Sequence, residues 1–338
     1  MKFNEEKKKA IILYLLEKID ANADNLSKSV SETFGVNQNT IHTYINQLVD
    51  DGVIKRVMRG HYELVENVKI YTLNRAKGDL DSDMYAYNAY LKNHIIDLPR
   101  NVQEIWEYAF SEMVNNVMDH SQSDDAQIIV SRNYFKTTVI ISDNGIGIFE
   151  KIKNYFNLDS LDDAICELFK GKLTTDSKNH SGEGIFFTSK IMDEFFVWSS
   201  KRVFTCNKYD DSKIEEVSFG ALKGTNVFMT LSNFTHKQVK DVFDMYSDVD
   251  GGFKKTVIPL RNIFDTSPVS RSQARRVCNR LNDFEEVVLD FQSLDWMGQG
   301  FAHQIFVVFA SEHPEIVITP VNMNEAITKM YNHVLYHK

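Results

Sequence analysis

The feature that most constrains this chain is a β-branched run starting at Thr137 that passes without a break into Asp143-Asn144-Gly145-Ile146-Gly147. Residues branched at Cβ favour an extended strand, and Asp, Asn and Gly end it in a turn. Alone, such a turn is commonplace, but its surroundings are not. Upstream, residues 106–121 read WEYAFSEMVNNVMDHS, where Trp106, Phe110, Met113 and Val117 form one helical stripe and Glu112, Asn116 and His120 recur every fourth residue. By itself a polar series at this spacing marks a solvated helix face. Downstream, Ser181-Gly182-Glu183-Gly184 leads into a helix through Ile185 to Ile191. A Gly-rich loop at a helix N-terminus presents backbone N–H groups and the positive dipole end to an anion such as phosphate. Lys223-Gly224-Thr225 then precedes the strand NVFMTLS and sets a hydroxyl at the edge of the same sheet.

In this order the four elements resemble the GHKL family: DNA gyrase, heat-shock-chaperone and mismatch-repair ATPases, and histidine and anti-sigma-factor kinases. The resemblance covers roughly residues 100–232 and implies a Bergerat α/β sandwich that binds ATP with Mg²⁺. It implies Asn116 as a Mg²⁺ ligand, a hard neutral oxygen suited to an ion that keeps its waters. It implies Asp143 as acceptor for the adenine 6-amino group; guanine, with a carbonyl there, would face a buried carboxylate, so ATP is favoured over GTP. Gly145 and Gly147 allow close approach to the base, and Gly182 and Gly184 wrap the phosphates beneath a lid of about residues 165–184. Glu112 matches the residue that orients or deprotonates the attacking water or hydroxyl. His120, Lys172 and Thr225 complete the expected ATP site, although His120 serves equally as a helix C-terminal cap. Glu183 departs from the family by placing an acid between the glycines; it faces away, pairs with Lys172 or Lys190, or slows catalysis. Slow hydrolysis and transfer to a protein serine both remain open.

Toward the N-terminus, Ile11, Ile12, Leu15 and Leu16 repeat at helical spacing. A second helix is expected from about Ser27 to Phe34 before Gly35, and a third, capped by Asn37 or Asn39, through Ile41, Tyr44, Ile45 and Leu48 to Gly52. VIKRVMRGHYELV follows as a hairpin around Arg59-Gly60. Residues 1–66 thereby resemble a winged helix-turn-helix. That resemblance implies base-edge contacts from Gln38, Asn39, Thr40 and Thr43 and phosphate contacts from Arg56 and Arg59, helped by Lys55 and His61. Residues 37–51, however, hold no Lys or Arg, and the chain's net charge is −9, so no global field draws in DNA. Two uses therefore stand side by side, DNA binding and protein contact or dimerisation.

Residues 67–100 are expected to be a linker and a leading helix, 101–235 the ATP-binding domain, and 250–338 a small α/β domain around the strands EEVVLDF and EIVITPV. This last segment resembles the STAS-like domains related to anti-sigma-factor antagonists. Where those antagonists carry a phosphorylatable serine, this chain reads Met297-Gly298-Gln299-Gly300, leaving Ser293 as a remote candidate and making a docking module for a protein partner, or a structural cap, the expected roles. The fold class is thus expected to be α+β and multidomain. Three scattered cysteines suggest neither disulfide framework nor zinc site, no uncharged apolar run approaches the roughly 20 residues that span a bilayer, and no leader with a cleavage site is recognised. A cytoplasmic transcription regulator, with a homodimer left open, fits these features. The two function classes are an ATP-dependent regulator of DNA binding and an ATP-driven protein switch or serine kinase.

Overall fold

The structure, a computed structural model, describes residues 5–173, 182–207, 223–247, 252–264 and 266–336. It divides into two compact units: residues 1–69 with 130–137, and residues 70–129 with 138–338.

The first unit contains α1 (Glu5–Asp20), α2 (Leu26–Phe34) and α3 (Gln38–Asp50). Ile11, Leu15, Leu16 and Ile19 face inward from α1 at helical spacing and meet Leu26, Val30, Ile41, Ile45 and Leu48 in one core. Gly35, with φ 60°, ends α2, a left-handed geometry that glycine enters without strain. Asn37 caps α3, its Oδ1 accepting the Asn39 N–H at 2.8 Å. β1 (Ile54–Met58) and β2 (His61–Leu64) form an antiparallel hairpin that buries Ile54 and Leu64 and exposes its other end.

Residues 67–100 are not simply a connection. β3 (Asn67–Asn74) comes first, then helical turns over residues 83–95. Next in the chain are α4 (Arg100–Asn116), β4 (Asp125–Arg132), β5 (Lys136–Asp143), α5 (Ile148–Tyr155) and α6 (Leu161–Lys170). They are followed by α7 (Gly184–Ile191), β6 (Glu194–Ser199), β7 (Arg202–Thr205), β8 (Thr225–Ser232) and α8 (Val239–Tyr246). The strands make one six-stranded sheet in the order β3-β4-β5-β8-β6-β7, so β3 is an edge strand. Along β5 the residues Thr137, Val139, Ile141 and Asp143 are buried in strict alternation. Alternate residues share one face of a strand, which puts the Asp143 carboxylate on the apolar side, at the end of its strand.

A second, three-stranded parallel sheet in the order β11-β10-β9 uses β9 (Lys255–Pro259), β10 (Glu286–Asp290) and β11 (Val317–Val321). Val287 lies in register with Thr256 on one side and Ile318 on the other. Helices α9 (Arg271–Cys278), α10 (Gln299–His303), which continues helically through residue 312, and α11 (Glu325–Tyr336) accompany it. α6 packs directly against β9 and α9, joining the two sheets' domains within one unit.

Candidate functional site

A cavity opens beside the end of β5. Its walls are Ile141 and Asp143 of β5, Val197 of β6, Thr225 and Val227 of β8, Ile148, Ile185, and Met113, Asn116, Val117, His120 and Ser121 from α4 and its continuation. The sheet supplies mostly aliphatic side chains, so the single carboxylate among them is conspicuous. Asp143 is 6% exposed. Its Oδ1 accepts the N–H groups of Gly145 at 2.8 Å and Thr225 at 3.3 Å, while its Oδ2 accepts no hydrogen bond from the described residues. Burial raises its pKa, against the opposing pull of those two N–H groups.

The turn after Asp143 is held by backbone contacts. The N–H of Ile146 donates to the Ser121 carbonyl at 3.0 Å, and a Cβ on Gly145 would lie 1.9 Å from that same carbonyl oxygen. Only glycine fits there. Gly224 repeats the arrangement from the neighbouring strand: its φ is 82°, and a Cβ would fall 2.1 Å from the Asp143 carbonyl oxygen. Gly147 stands against the Ser199 hydroxyl at the start of α5. Thr225 Oγ1 accepts the Ile148 N–H at 3.0 Å, which pins α5 to β8. Sequence reasoning does not reach Ser121 or the aliphatic wall and names Gly224 only within Lys223-Gly224-Thr225; alternation along β5 is the signal available for Ile141, whereas burial along β6 and β8 is nearly continuous.

The helical side ends in a wide turn, Val117–Ser121, of π geometry, an irregularity frequent at functional sites. Asn116 is half-buried at the head of this turn, with Nδ2 3.9 Å from the Met113 sulfur. His120 Nδ1 lies 3.0 Å from the ammonium of Lys151, which also donates to the His120 carbonyl at 3.1 Å. Glu112, one turn before Asn116, reaches the loop that precedes α7: a Cβ on Gly184 would come within 2.0 Å of its Oε2. Tyr108, one further turn back, has its pKa raised by burial and then by the negative charges of Glu112 and Glu183, so those two acids share one neighbourhood.

Of the expected lid, residues 174–181 lie outside the described residues. Its stems are described. Leu173 N–H donates to the Gly182 carbonyl at 3.0 Å, closing the loop at its base. Lys172 turns toward the C-terminal domain, donating to the Asp283 carbonyl at 2.7 Å and lying over the rings of Phe253 and Phe284. Burial, and then the nearby Lys254, lower its pKa. Lys190 lies over Phe186, 3.6 Å from the Cys206 sulfur. Thus Asn116, His120, Asp143 and Thr225 converge on the cavity, Glu112 and Gly184 adjoin each other, and Lys172 is engaged elsewhere.

In the N-terminal unit, Gln38, Asn39 and Thr43 are exposed on α3 and Thr40 is half-buried. The Thr43 hydroxyl donates back to the Asn39 carbonyl at 3.0 Å. Arg56 stacks over the Tyr62 ring, Arg59 is exposed, and Lys55 pairs with Glu63 at 3.0 Å. In the C-terminal domain, Ser293 is exposed in a turn with φ 63°.

With this geometry in place, comparison with known families is informative. Residues 101–232 match the model of the histidine kinase-, DNA gyrase B- and HSP90-like ATPases, and residues 273–328 match that of a STAS-like domain of unknown function. No curated protein matches the chain. The chain therefore carries a GHKL-type ATP-binding domain followed by a STAS-like domain. Among the described residues, no helix is long and apolar enough to cross a membrane.

Proposed function

We propose that this chain is an ATP- and Mg²⁺-dependent regulatory switch whose nucleotide state controls DNA binding by its N-terminal unit, a winged helix-turn-helix. The observation that carries the nucleotide half is Asp143: a buried carboxylate lining a largely aliphatic cavity, with Oδ1 held by two backbone N–H groups and Oδ2 accepting none from the described residues. An ionised carboxylate only accepts, and an unmatched buried acceptor is costly, so the cavity calls for a flat apolar ligand that donates. Adenine meets both conditions; guanine, with a carbonyl in place of the amino group, does not.

The donor set suits the cation as well. The Asn116 amide nitrogen faces a methionine sulfur, which leaves its carbonyl oxygen for a hard ion bound jointly with phosphates. Mg²⁺ would supply charge neutralisation at the phosphates. Glu112 would accept the proton of the attacking water or hydroxyl, and the backbone N–H groups after Gly182 and Gly184 would receive phosphate oxygens. Slow hydrolysis suits a switch.

For the output, Gln38, Asn39, Thr40 and Thr43 would read base edges and Arg56 and Arg59 would hold phosphates. A second reading, an ATP-driven protein switch or serine kinase acting on a partner through the STAS-like domain, draws support from the wing. Lys55 is neutralised by Glu63, and Val57 and Met58 beside it are 50% and 61% exposed. Anisotropy of labelled duplex DNA, with and without ATP and Mg²⁺, separates the two. The first reading predicts binding that changes with ATP, and Arg56→Ala with Arg59→Ala flattening the salt dependence by about one unit per lost contact. No affinity at low salt in either nucleotide state would leave the protein-partner reading in its place.

A further inference from the structure

The contact between α6 and the STAS-like domain is a buried polar network. Lys170, 1% exposed, donates to Glu167 Oε1 at 2.7 Å, to the Arg276 carbonyl at 3.1 Å and to the Asn279 carbonyl at 2.5 Å. Glu167, equally buried, also accepts from Asn279 Nδ2 at 2.8 Å. The Thr256 hydroxyl donates to the Lys170 carbonyl at 2.8 Å, and Arg276 pairs with Asp163. All three protons of a buried ammonium are thus placed, two of them on backbone of the other domain. Such a pair adds little net stability over apolar packing, but it admits few orientations.

Arg280 stands at the rim of this network, in the turn after α9. Its Nη1 donates to Glu167 Oε2 at 3.4 Å and its Nη2 to the Lys172 carbonyl at 3.0 Å and Asp283 Oδ2 at 3.2 Å. Its guanidinium lies 5.0 Å from the ring centroid of Phe156. Phe156 ends α5, the helix that leaves the Asp143–Gly147 turn; Glu167 lies in α6; Lys172 is in the stem that closes on Gly182. One side chain from the STAS-like domain therefore touches three successive elements of the ATPase domain. From the last of them, contacts lead through Leu173 and Gly182 to Gly184 and Glu112.

We propose that Arg280 is a positioning residue of the nucleotide site: with the Glu167–Lys170 pair it lets the STAS-like domain set the loop stems at the phosphate end, so that ATP affinity and the placement of that domain are coupled. This rests on the ATP reading above. No hydrogen bond of the network reaches Asp143, and its contact on α5 is at Phe156, the end of that helix far from the Asp143 turn, so the coupling concerns the phosphates and leaves the base untouched. Coupling is reciprocal; ATP in turn steadies residues 276–283.

The test uses the full chain. ATP with Mg²⁺ is titrated by calorimetry and adenosine by ligand-observed NMR, in the unaltered chain and in Arg280→Ala. The expected result is ATP affinity lower by about tenfold with adenosine affinity unchanged. Equal losses for both ligands would mean general weakening of the domain, and no loss for ATP would mean no coupling; either overturns the proposal. Hydrogen exchange on the unaltered chain needs no substitution: ATP slows exchange in residues 276–283 if the coupling holds, and unchanged exchange there overturns it. Should the unaltered chain bind no ATP, the nucleotide reading itself falls; should it bind ATP with both readouts flat, only the coupling falls.

Discussion

At the Asp143 end of the cavity the described hydrogen bonds run among the sheet, its turns, the end of α4 and the start of α5. Asp143 holds Gly145 and Thr225, Thr225 holds Ile148, and Ser121 holds Ile146. At the Gly182 end the stems instead lean on another domain, through Lys172 on Asp283, Arg280 on the Lys172 carbonyl, and the buried Lys170. The first end is built entirely within one domain, with its contacts closed on one another around the Asp143 turn. The second is positioned from outside, and so is open to control. A nucleotide with its base at one end and its phosphates at the other would be recognised by a fixed half and committed by an adjustable one.

The largest effect should come at the adjustable end. Glu112→Ala removes the carboxylate beside Gly184, and turnover should fall by roughly 10²–10⁴ while ATP affinity holds, read by steady-state hydrolysis beside calorimetry. Equal turnover in the two proteins would reduce Glu112 to a packing residue of α4. Next, Lys170→Ala removes the ammonium paired with the buried Glu167 and leaves it only Asn279 and the Arg280 at the rim, and urea unfolding should show a loss of about 3–5 kcal/mol. Replacing both partners, Lys170→Met with Glu167→Gln, should recover most of it. A loss below about 1 kcal/mol for the single variant, the range of exposed pairs, would mean that water reaches the pair and that the two ends differ less than argued.

The smallest effect near neutral pH belongs to the fixed end. Burial raises the Asp143 pKa above its ordinary 3.8, so the protonated acid favours the folded state, and that contribution is lost as pH rises through the raised value. Adenine recognition runs the other way, because it needs the ionised acceptor. ATP affinity should therefore fall on acidification, beginning above the pH at which an exposed aspartate titrates, with the fold intact. An acid limb that Asp143→Asn shares would assign it to another group.

The contrast between the two ends also marks what could be read in the sequence. Glu112, Asn116 and His120 sit on one helix at a fixed spacing, and Asp143 to Gly147 are contiguous, so local periodicity and turn chemistry expose them. Apart from the Glu167–Lys170 pair itself, the hydrogen-bond partners that the side chains of Glu167, Lys170 and Lys172 find in the other domain are far along the chain, in residues 276–283, and no local pattern shows which charged residue of α6 will be buried. Lys172 is the instructive case: expected in the ATP site and as a possible partner of Glu183, it has side-chain contacts with Asp283, Phe253 and Phe284 that no local pattern announces. β3 escaped for a different reason. As an edge strand with Val68 and Ile70 51% and 61% exposed, it lacks the one-sided burial that makes alternation legible. β9 is five residues long and ends in Pro259, too short for a period to register.

The central claim is that the open oxygen of Asp143 receives the base of ATP. It is tested most directly by calorimetry of ATP and GTP on the unaltered chain and on Asp143→Asn. The amide oxygen can still accept the N–H groups of Gly145 and Thr225, so the variant should fold, as a melting curve will verify, while its amide nitrogen meets the adenine amino group as donor against donor. The account predicts that the unaltered chain binds ATP in preference to GTP and that Asp143→Asn loses about 1–3 kcal/mol of ATP binding. ATP affinity unchanged in the folded variant would contradict it.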